Sequence, residues 1–348
     1  MIDIKTLSLQ QLEEIIDEFG EKPFRAKQIY QWLWLHNVYD FEDMKNISKN
    51  LREYLQQNFA INTIKVDQSI QSKLDQTIKY TFKTYDNKLI EGVLIPSKKE
   101  KFRVTACIST QVGCQLKCSF CATGQMGFDR NLTKAEIYEQ VYLLNTESIE
   151  KFGYKLSNIV VMGMGEPLLN IENLMDAVGL ITSPDLLGMS PSRITVSTAG
   201  LAQQIKDLAD LQPKFNLAIS LHSAIDKIRN EIMPINKLNN LKKLVDALKY
   251  YHQKTQQRIT IEYLLLDGVN DTIEDAKALA LFCRNFPVKI NLIQFNSVEH
   301  SYFAGTPMKI IQNFYDFLVQ KNIVVTIRHS KGKDIDAACG QLANKKKQ

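Results

Sequence analysis

From about residue 103 onward the chain alternates apolar, strand-forming segments with amphipathic helical ones, and nothing else in it restricts the fold so tightly. The strand candidates are residues 103–109, 158–163, 193–197, 215–221, 258–266, 289–296 and 323–328. Between them, residues 133–148, 170–182, 239–254, 271–285 and 308–321 repeat apolar side chains at helical spacing. Strands joined through helices pair in parallel by crossover connections, which are right-handed. The expectation is an α/β fold, a partial (β/α) barrel spanning residues 97–335. Ligands of such folds collect at the carboxyl ends of the strands, so the loops after the strands should carry the chemistry.

Residues 1–60 follow a different pattern and are expected to form a small helical domain. Ser8-x-x-Gln11 has the form of a capping box, and Leu9, Leu12, Ile15, Ile16 and Phe19 recur at helical spacing before Gly20. Pro23 opens a second helix with Ile29, Tyr30, Leu33 and Trp34, and Leu51, Tyr54, Leu55 and Phe59 mark a third. Residues 61–96 read as a β linker, with Ile78, Tyr80 and Phe82 alternating ahead of Leu89-Ile-Glu91-Gly-Val-Leu-Ile-Pro96. Residues 336–348 form a C-terminal segment that carries Cys339 and a basic tail.

Composition narrows the setting. With 45% hydrophobic and 23% charged residues the chain is an ordinary globular one, not a disordered one. No apolar run reaches the roughly 18–20 residues that cross a bilayer. Met1-Ile-Asp-Ile-Lys5 lacks the basic start and apolar stretch of a signal peptide, so the expected location is the cytoplasm, with no membrane partner. The net charge of +5 is uneven: residues 1–60 hold seven basic and ten acidic side chains, which leaves +8 on the remainder. A basic remainder points to a polyanionic partner such as nucleic acid, although Lys345-Lys346-Lys347 alone reads as a solvated tail.

Six cysteines are present, and in a reducing compartment they indicate metal or redox chemistry more than disulfides. Cys114-Gln-Leu-Lys-Cys118-Ser-Phe-Cys121 follows the first strand candidate of the barrel. Three thiolates this close can bind three irons of a cubane and leave the fourth iron without a protein ligand. A structural zinc would need a fourth Cys or His nearby, and the nearest histidines in sequence are His36 and His222. The spacing, with Phe120 inside it, resembles the radical S-adenosylmethionine (SAM) signature. Gly163-Met-Gly165-Glu166-Pro167 also follows a strand candidate; its glycines would admit a ligand close to the backbone, and Glu166 would accept from an ammonium group. Ser197, Ser220-Leu221-His222 and Asn296 end later strands. Cys283, in the apolar run Ala280-Leu-Phe-Cys283, reads as a small buried filler.

From Glu91 to Leu342 the sequence resembles the RlmN family of radical SAM enzymes. The likeness rests on Glu91-Gly-Val-Leu-Ile-Pro96, Cys107-Ile-Ser-Thr-Gln-Val-Gly-Cys114, the cysteine loop, Gly163–Pro167, Ser220-Leu-His222 and Asp334-Ile-Asp-Ala-Ala-Cys-Gly-Gln-Leu342. The resemblance implies a methyltransferase acting on C2 of an adenosine in 23S rRNA and of the adenosine beside the anticodon in tRNA, with two SAM molecules used per turnover. It implies a [4Fe–4S] cluster on Cys114, Cys118 and Cys121, and SAM contacts from Gly165, Glu166, Ser197, Ser220, Leu221, His222 and Asn296. Cys339 would be the cysteine that is itself methylated, Cys107 its partner in a transient disulfide, and Glu91 the proton acceptor. An electron donor such as flavodoxin or ferredoxin, and a monomeric chain, complete the picture.

Other readings stay open at this point. A Cfr-type enzyme would use the same parts on adenine C8. An activating enzyme acting on a protein glycine would not need Cys339, and a non-catalytic cluster-binding module would not split SAM. For RNA contact the basic candidates are Lys98, Lys99, Lys101 and Arg103 ahead of the cysteine loop, and Arg328, Lys331 and Lys333 near Cys339. Family analogy adds Arg25, Lys27, Trp32 and Trp34, although Trp34 at helical spacing reads as core.

Overall fold

The computed structural model describes residues 1–97, 101–298 and 301–343. Its main sheet has ten strands: Lys65–Gln71 (β1), Ile78–Lys83 (β2), Leu89–Ser97 (β3), Arg103–Cys107 (β4), Asn158–Val161 (β5), Ile194–Thr198 (β6), Asn216–Ser220 (β7), Ile259–Leu265 (β8), Val288–Gln294 (β9) and Val324–Arg328 (β10). Each strand pairs with its neighbours in sequence. β1 to β4 pair antiparallel, and β4 to β10 pair parallel. All seven strand candidates of the barrel are therefore present. Strands added one after another on the same side, through right-handed crossovers, place the helices on one face and let the twisted sheet curl around the other.

The curl is visible in what the two edges touch. Laid flat, β1 and β10 would stand about 43 Å apart at the usual strand spacing. Instead Gly332, just after β10, donates its N–H to Asp75 Oδ2 at 2.9 Å, in the turn between β1 and β2. Ser72 Oγ and Lys73 N donate to the two carboxylate oxygens of Asp334 at 2.7 and 3.0 Å. Among the described residues the edges do not pair strand to strand, so this is a partial barrel closed by a side-chain clasp.

The chain's larger helices are Leu9–Glu18 (α1), Phe24–Trp34 (α2), Lys49–Asn58 (α3), Lys134–Phe152 (α4), Ile171–Thr182 (α5), Ala202–Asp210 (α6), Asp226–Ile232 (α7), Leu241–Thr255 (α8), Ile273–Cys283 (α9) and Met308–Gln320 (α10). The capping boxes read at Ser8/Gln11 and Thr133/Glu136 both form. Among the described residues no helix is long and apolar enough to cross a membrane.

The N-terminal helices share one continuous core with the barrel through α4. Trp34 is buried, its ring edge-on to Tyr138 at 5.4 Å, while Tyr138 Oη donates to Trp34 O at 2.7 Å. Trp34 is thus a core residue and cannot stack on a base; Trp32 is half-buried, its Nε1 donating to Asn46 Oδ1 at 2.5 Å. Lys5 and Glu139, both buried, form an ion pair across the same junction.

Candidate active site

β4 delivers the chain to the carboxyl end of the barrel, where the short strands Gln111–Gly113 and Phe128–Asn131 pair antiparallel and frame the cysteine loop. Gly113 has φ +79, and a Cβ there would meet Gly127 O at 2.0 Å, so only glycine fits. Cys114 N donates to Gly127 O at 2.8 Å, Cys121 N to Cys118 O at 3.2 Å, and Ser119 N to Ile232 O at 3.0 Å. The three thiols are brought together. Burial raises Cys118 well above the ordinary thiol range, and the neighbouring Cys121 and Cys114 raise it further. Burial likewise pushes Cys114 up to about 12 and raises Cys121. Among the described residues no three His, Cys, Asp or Glu side chains converge on a single-ion site. Three cysteine thiols on one loop are the donor type that iron–sulfur clusters take, so this donor set suits a cluster.

Beside the loop lies the turn after β5. Gly165 has φ +103, and a Cβ on it would meet Gln111 Cβ at 2.6 Å; one on Gly163 would meet Ser109 Oγ at 2.6 Å and Ile108 O at 2.7 Å. These glycines let two backbone segments pack against each other. Glu166 is buried; its Oε2 accepts from Ala199 N at 2.8 Å and its Oε1 from Leu168 N at 3.1 Å. Burial raises its carboxyl to about 7 against those hydrogen bonds. Thr198 adds a third hydrogen bond, and a carboxylate has about four acceptor sites, so one remains that a cation could use.

Ser197 and Ser220 place their hydroxyls 3.2 Å apart on β6 and β7. His222, at φ +56, accepts from Leu264 N on Nδ1 at 3.0 Å, which leaves Nε2 protonated in the neutral ring. Burial, with Arg229 nearby, pushes its pKa down to about 3. Its ring meets Phe120 of the cysteine loop edge-on at 4.9 Å. Leu221 is wholly buried, its N–H taken by Glu262 O and its carbonyl by Arg229 Nε. Asn296 is buried, donates to Ser330 Oγ at 2.9 Å, and keeps an Oδ1 with no partner among the described residues. That unpaired acceptor suits a ligand donor, and it fits the expected SAM site.

Residues 332–343 form a strap across the mouth. Lys79 Nζ donates to Asp336 O at 3.3 Å, Ala122 N to Gly340 O at 2.7 Å, Thr123 Oγ1 to Leu342 O at 2.6 Å and Gln341 Nε2 to Ser297 O at 2.9 Å. Glu91, wholly buried on β3, accepts from Ala343 N at 2.9 Å and pairs with Lys79 Nζ at 3.4 Å. Cys339 sits in this strap beside Cys121 of the cysteine loop. It is open to solvent, yet hemmed in by protein that raises its thiol to about 11; Glu262 adds to the rise and Arg328 opposes it. Cys107 is buried; burial pushes it up to about 12, and Cys339 is the next cause. Both thiols are free, and Cys339 lies within electrostatic reach of Cys107.

Two family models match the chain: the ribosomal RNA large subunit methyltransferase N-terminal domain over residues 2–61, and the radical SAM superfamily over residues 108–281. A probable dual-specificity RNA methyltransferase RlmN of Christiangramia forsetii is 49% identical over 99% of this chain and 96% of its own. The counterpart in Flavobacterium psychrophilum is 48% identical over 99% and 98%. The chain belongs to the RlmN family. Among solved structures, a radical SAM methyltransferase from Sphaerobacter thermophilus superposes with a TM-score of 0.90 at 37% identity, covering 98% of this chain and 99% of that one. The α/β partial barrel expected from the alternating pattern, and the radical SAM assignment that the cysteine loop resembled, are therefore both established.

Several polar residues of this RlmN-family site escaped sequence reasoning. Arg229, on α7, is wholly buried; its Nη2 donates to Ala199 O at 2.6 Å, its Nη1 to Asn236 Oδ1 at 2.6 Å and its Nε to Leu221 O. It thereby ties together the loops after β6 and β7. Glu262 on β8 and Asn291 on β9 are buried and bonded, Asn291 Nδ2 donating to Glu262 Oε1 at 2.7 Å. Of the basic candidates, Arg328 ends β10 and is exposed at the mouth, with Lys331 and Lys333 exposed on the strap. Lys101 and Arg103 are also exposed, but Lys101 precedes β4 and Arg103 begins it, so they lie at its amino end, about 13 Å below the site-bearing loop. They are poorly placed to hold RNA at the mouth. Lys98, Lys99 and Lys345–Lys347 lie outside the described residues.

Proposed function

We propose that this chain methylates C2 of an adenosine in 23S rRNA, and of the adenosine beside the anticodon in tRNA, through an S-methylcysteine on Cys339. The observation that carries this reading is the placement of Cys339, on a strap bonded to the cysteine loop and within electrostatic reach of Cys107. Adenine C2 lies between two ring nitrogens and is too electron-poor to attack a methyl cation equivalent. A carbon radical can add to it. Bound at Cys114, Cys118 and Cys121, the cluster would supply the electron that splits SAM to the radical needed for hydrogen abstraction.

The protein's own groups fill the remaining roles. The Cys339 thiolate takes a methyl from a first SAM by substitution. After hydrogen abstraction its S-methylene adds to the ring and joins protein to RNA. Glu91 accepts the ring proton, and the odd electron of the adduct would return to the cluster held by Cys114, Cys118 and Cys121. The Cys107 thiolate then attacks the Cys339 sulfur and breaks its bond to the methylene carbon, which takes up a proton to become the methyl, leaving a Cys107–Cys339 disulfide for reduction. Glu91 holds the strap through Ala343 N, so a base and a structural tether coincide in one carboxylate. Glu166, the Ser197–Ser220 pair, His222 and Asn296 would hold SAM. Arg328, Lys331 and Lys333 would hold RNA phosphates once the base is unstacked. Two SAM per turnover, an external one-electron donor such as flavodoxin or ferredoxin, a monomeric chain and a cytoplasmic setting belong to the same reading.

The relatives at 48–49% identity carry the RlmN name, which supports C2 over the Cfr-type C8 position. The test is anaerobic reconstitution with SAM, a reductant and either RNA, followed by mass-spectrometric placement of the methyl. Methyl on C2, abolished by Cys339→Ala, is expected. A methyl on C8, or full turnover by Cys339→Ala, overturns the proposal.

A further inference from the structure

Tyr263 on β8 packs its ring on Phe314 of α10 at 5.4 Å, so odd-numbered positions of β8 face the helices. Glu262 and Leu264 must then face the hollow of the barrel. In parallel strands, residues in register share a face, and here Ser220, Glu262, Asn291 and Thr326 are in register across β7, β8, β9 and β10. The result is a polar row level with Ser220 of the candidate SAM site and extending away from it to Thr326, exposed at the open edge on β10. Glu262 is only 5% exposed. Its Oε1 is held by Asn291, while its Oε2 accepts no hydrogen bond among the described residues. Arg328, the nearby cation, makes no ion pair with it among the described residues, although it lowers the carboxyl that burial raises. Oε2 is therefore left available to a donor that enters the barrel.

We propose that Glu262, oriented by Asn291, recognises the exocyclic amine of the target purine and so selects adenine over guanine. A base flipped into the barrel presents its polar edge to the wall. Adenine offers an N–H donor at position 6, where guanine offers a carbonyl oxygen. Oε2 accepts from the first and repels the second. Glu262 lies close enough to Cys339 for its charge to raise that thiol. Adenine carries its amine and C2 on one edge, either side of N1, so Oε2 holds the amine while C2 faces the thiol that carries the methyl. Asn291 acts through Glu262 and is a positioning residue. This inference rests on the reading of the substrate as an adenine in RNA.

The test uses the reconstituted full chain and two RNA oligonucleotides that differ at one position. One carries adenosine at the target, the other purine riboside, which lacks only the amine. The wild type should prefer adenosine, and Glu262→Ala should lower kcat/KM on adenosine by about 10- to 100-fold, the weight of a hydrogen bond to a charged group. On the purine RNA the two proteins should differ by less than about 3-fold, because no amine is present to lose. Comparing variants on each RNA cancels the difference in ring reactivity. Glu262→Gln, which retains the volume and the bond to Asn291, carries the test if the alanine variant does not fold. Equal losses on both RNAs overturn the proposal, as does lost SAM binding by Glu262→Gln, which would make Glu262 a cofactor contact. If the wild type methylates neither RNA, the substrate reading itself has failed, a result distinct from both.

Discussion

Cys107 and Cys339 occupy opposite ends of the barrel sequence, and they differ in the one respect the proposed chemistry requires: Cys339 is open to solvent and Cys107 is buried. A methyl acceptor must be reached by SAM and then by RNA, whereas a resolving thiol need reach only its partner's sulfur. In Cys107→Ala the ring adduct should form without release, so the variant should accumulate a protein–RNA species that survives denaturing electrophoresis. Free methylated RNA at the wild-type rate would remove Cys107 from the route. The glycines make a second prediction at this scale. Gly165→Ala combines a left-handed φ with backbone and side-chain atoms of Gln111 under 3 Å from the new Cβ, and should cost about 2–4 kcal/mol. Gly20→Ala has φ +84 and nothing within 4 Å, and should cost only the strain, about 1 kcal/mol. Urea midpoints of the two variants separate packing from strain.

The strap is an element without regular structure of its own, apart from one short turn at Lys333–Ile335, so its position depends on bonds to other elements. Asp334 accepts two of them from the β1–β2 turn. Asp334→Ala should loosen the strap and speed alkylation of Cys339 severalfold, while buried Cys107 reacts as slowly as before; an unchanged Cys339 rate would show that the remaining bonds suffice. Arg130 makes a comparable join, donating to both oxygens of Asp86 in the β2–β3 turn and to both oxygens of Glu136 at the start of α4. That guanidinium holds the Asp86 carboxyl far below the usual range. A depressed carboxyl stabilises the fold above its unfolded value near 4, and the contribution fades as pH falls through the folded value. The stability deficit of Asp86→Asn should therefore be full at pH 7 and shrink steadily below pH 4, as thermal melts across that range would show.

These elements were unequally legible. The inner parallel strands, covered on both faces, read as near-continuous apolar runs, whereas β10, at the open edge, has no fully buried residue and was legible from its β-branched residues. β1, Lys65–Gln71, is an exposed edge strand of mostly polar residues and carries little such signal. α6 is nine residues long, and its buried Ile205, Leu208 and Ala209 are too few to stand out. The cysteine loop was legible because its spacing is local. Glu262, Asn291 and Arg229 were not: only strand register brings Glu262 and Asn291 together, and Arg229 is one of several polar residues of α7 with nothing in its spacing to single it out.

At the scale of the whole molecule, the helical N-terminus and the barrel stand or fall together. Their shared core closes around Lys5 and Glu139, both wholly buried, with Ile64 N donating to Glu139 Oε2 at 2.7 Å. Taking two charges out of water costs nearly what their attraction returns, so the pair itself adds little net stability. Breaking it is another matter, because one charge is then stranded. Lys5→Met should destabilise the entire chain by about 3–5 kcal/mol. Adding Glu139→Gln removes the stranded charge yet keeps an acceptor for Ile64, so the double variant should recover most of that loss. If the N-terminal helices formed an independent unit, Lys5→Met would instead melt them alone and leave a second transition at the wild-type temperature. Calorimetry distinguishes the two cases, and the continuous core predicts a single transition that shifts as a whole.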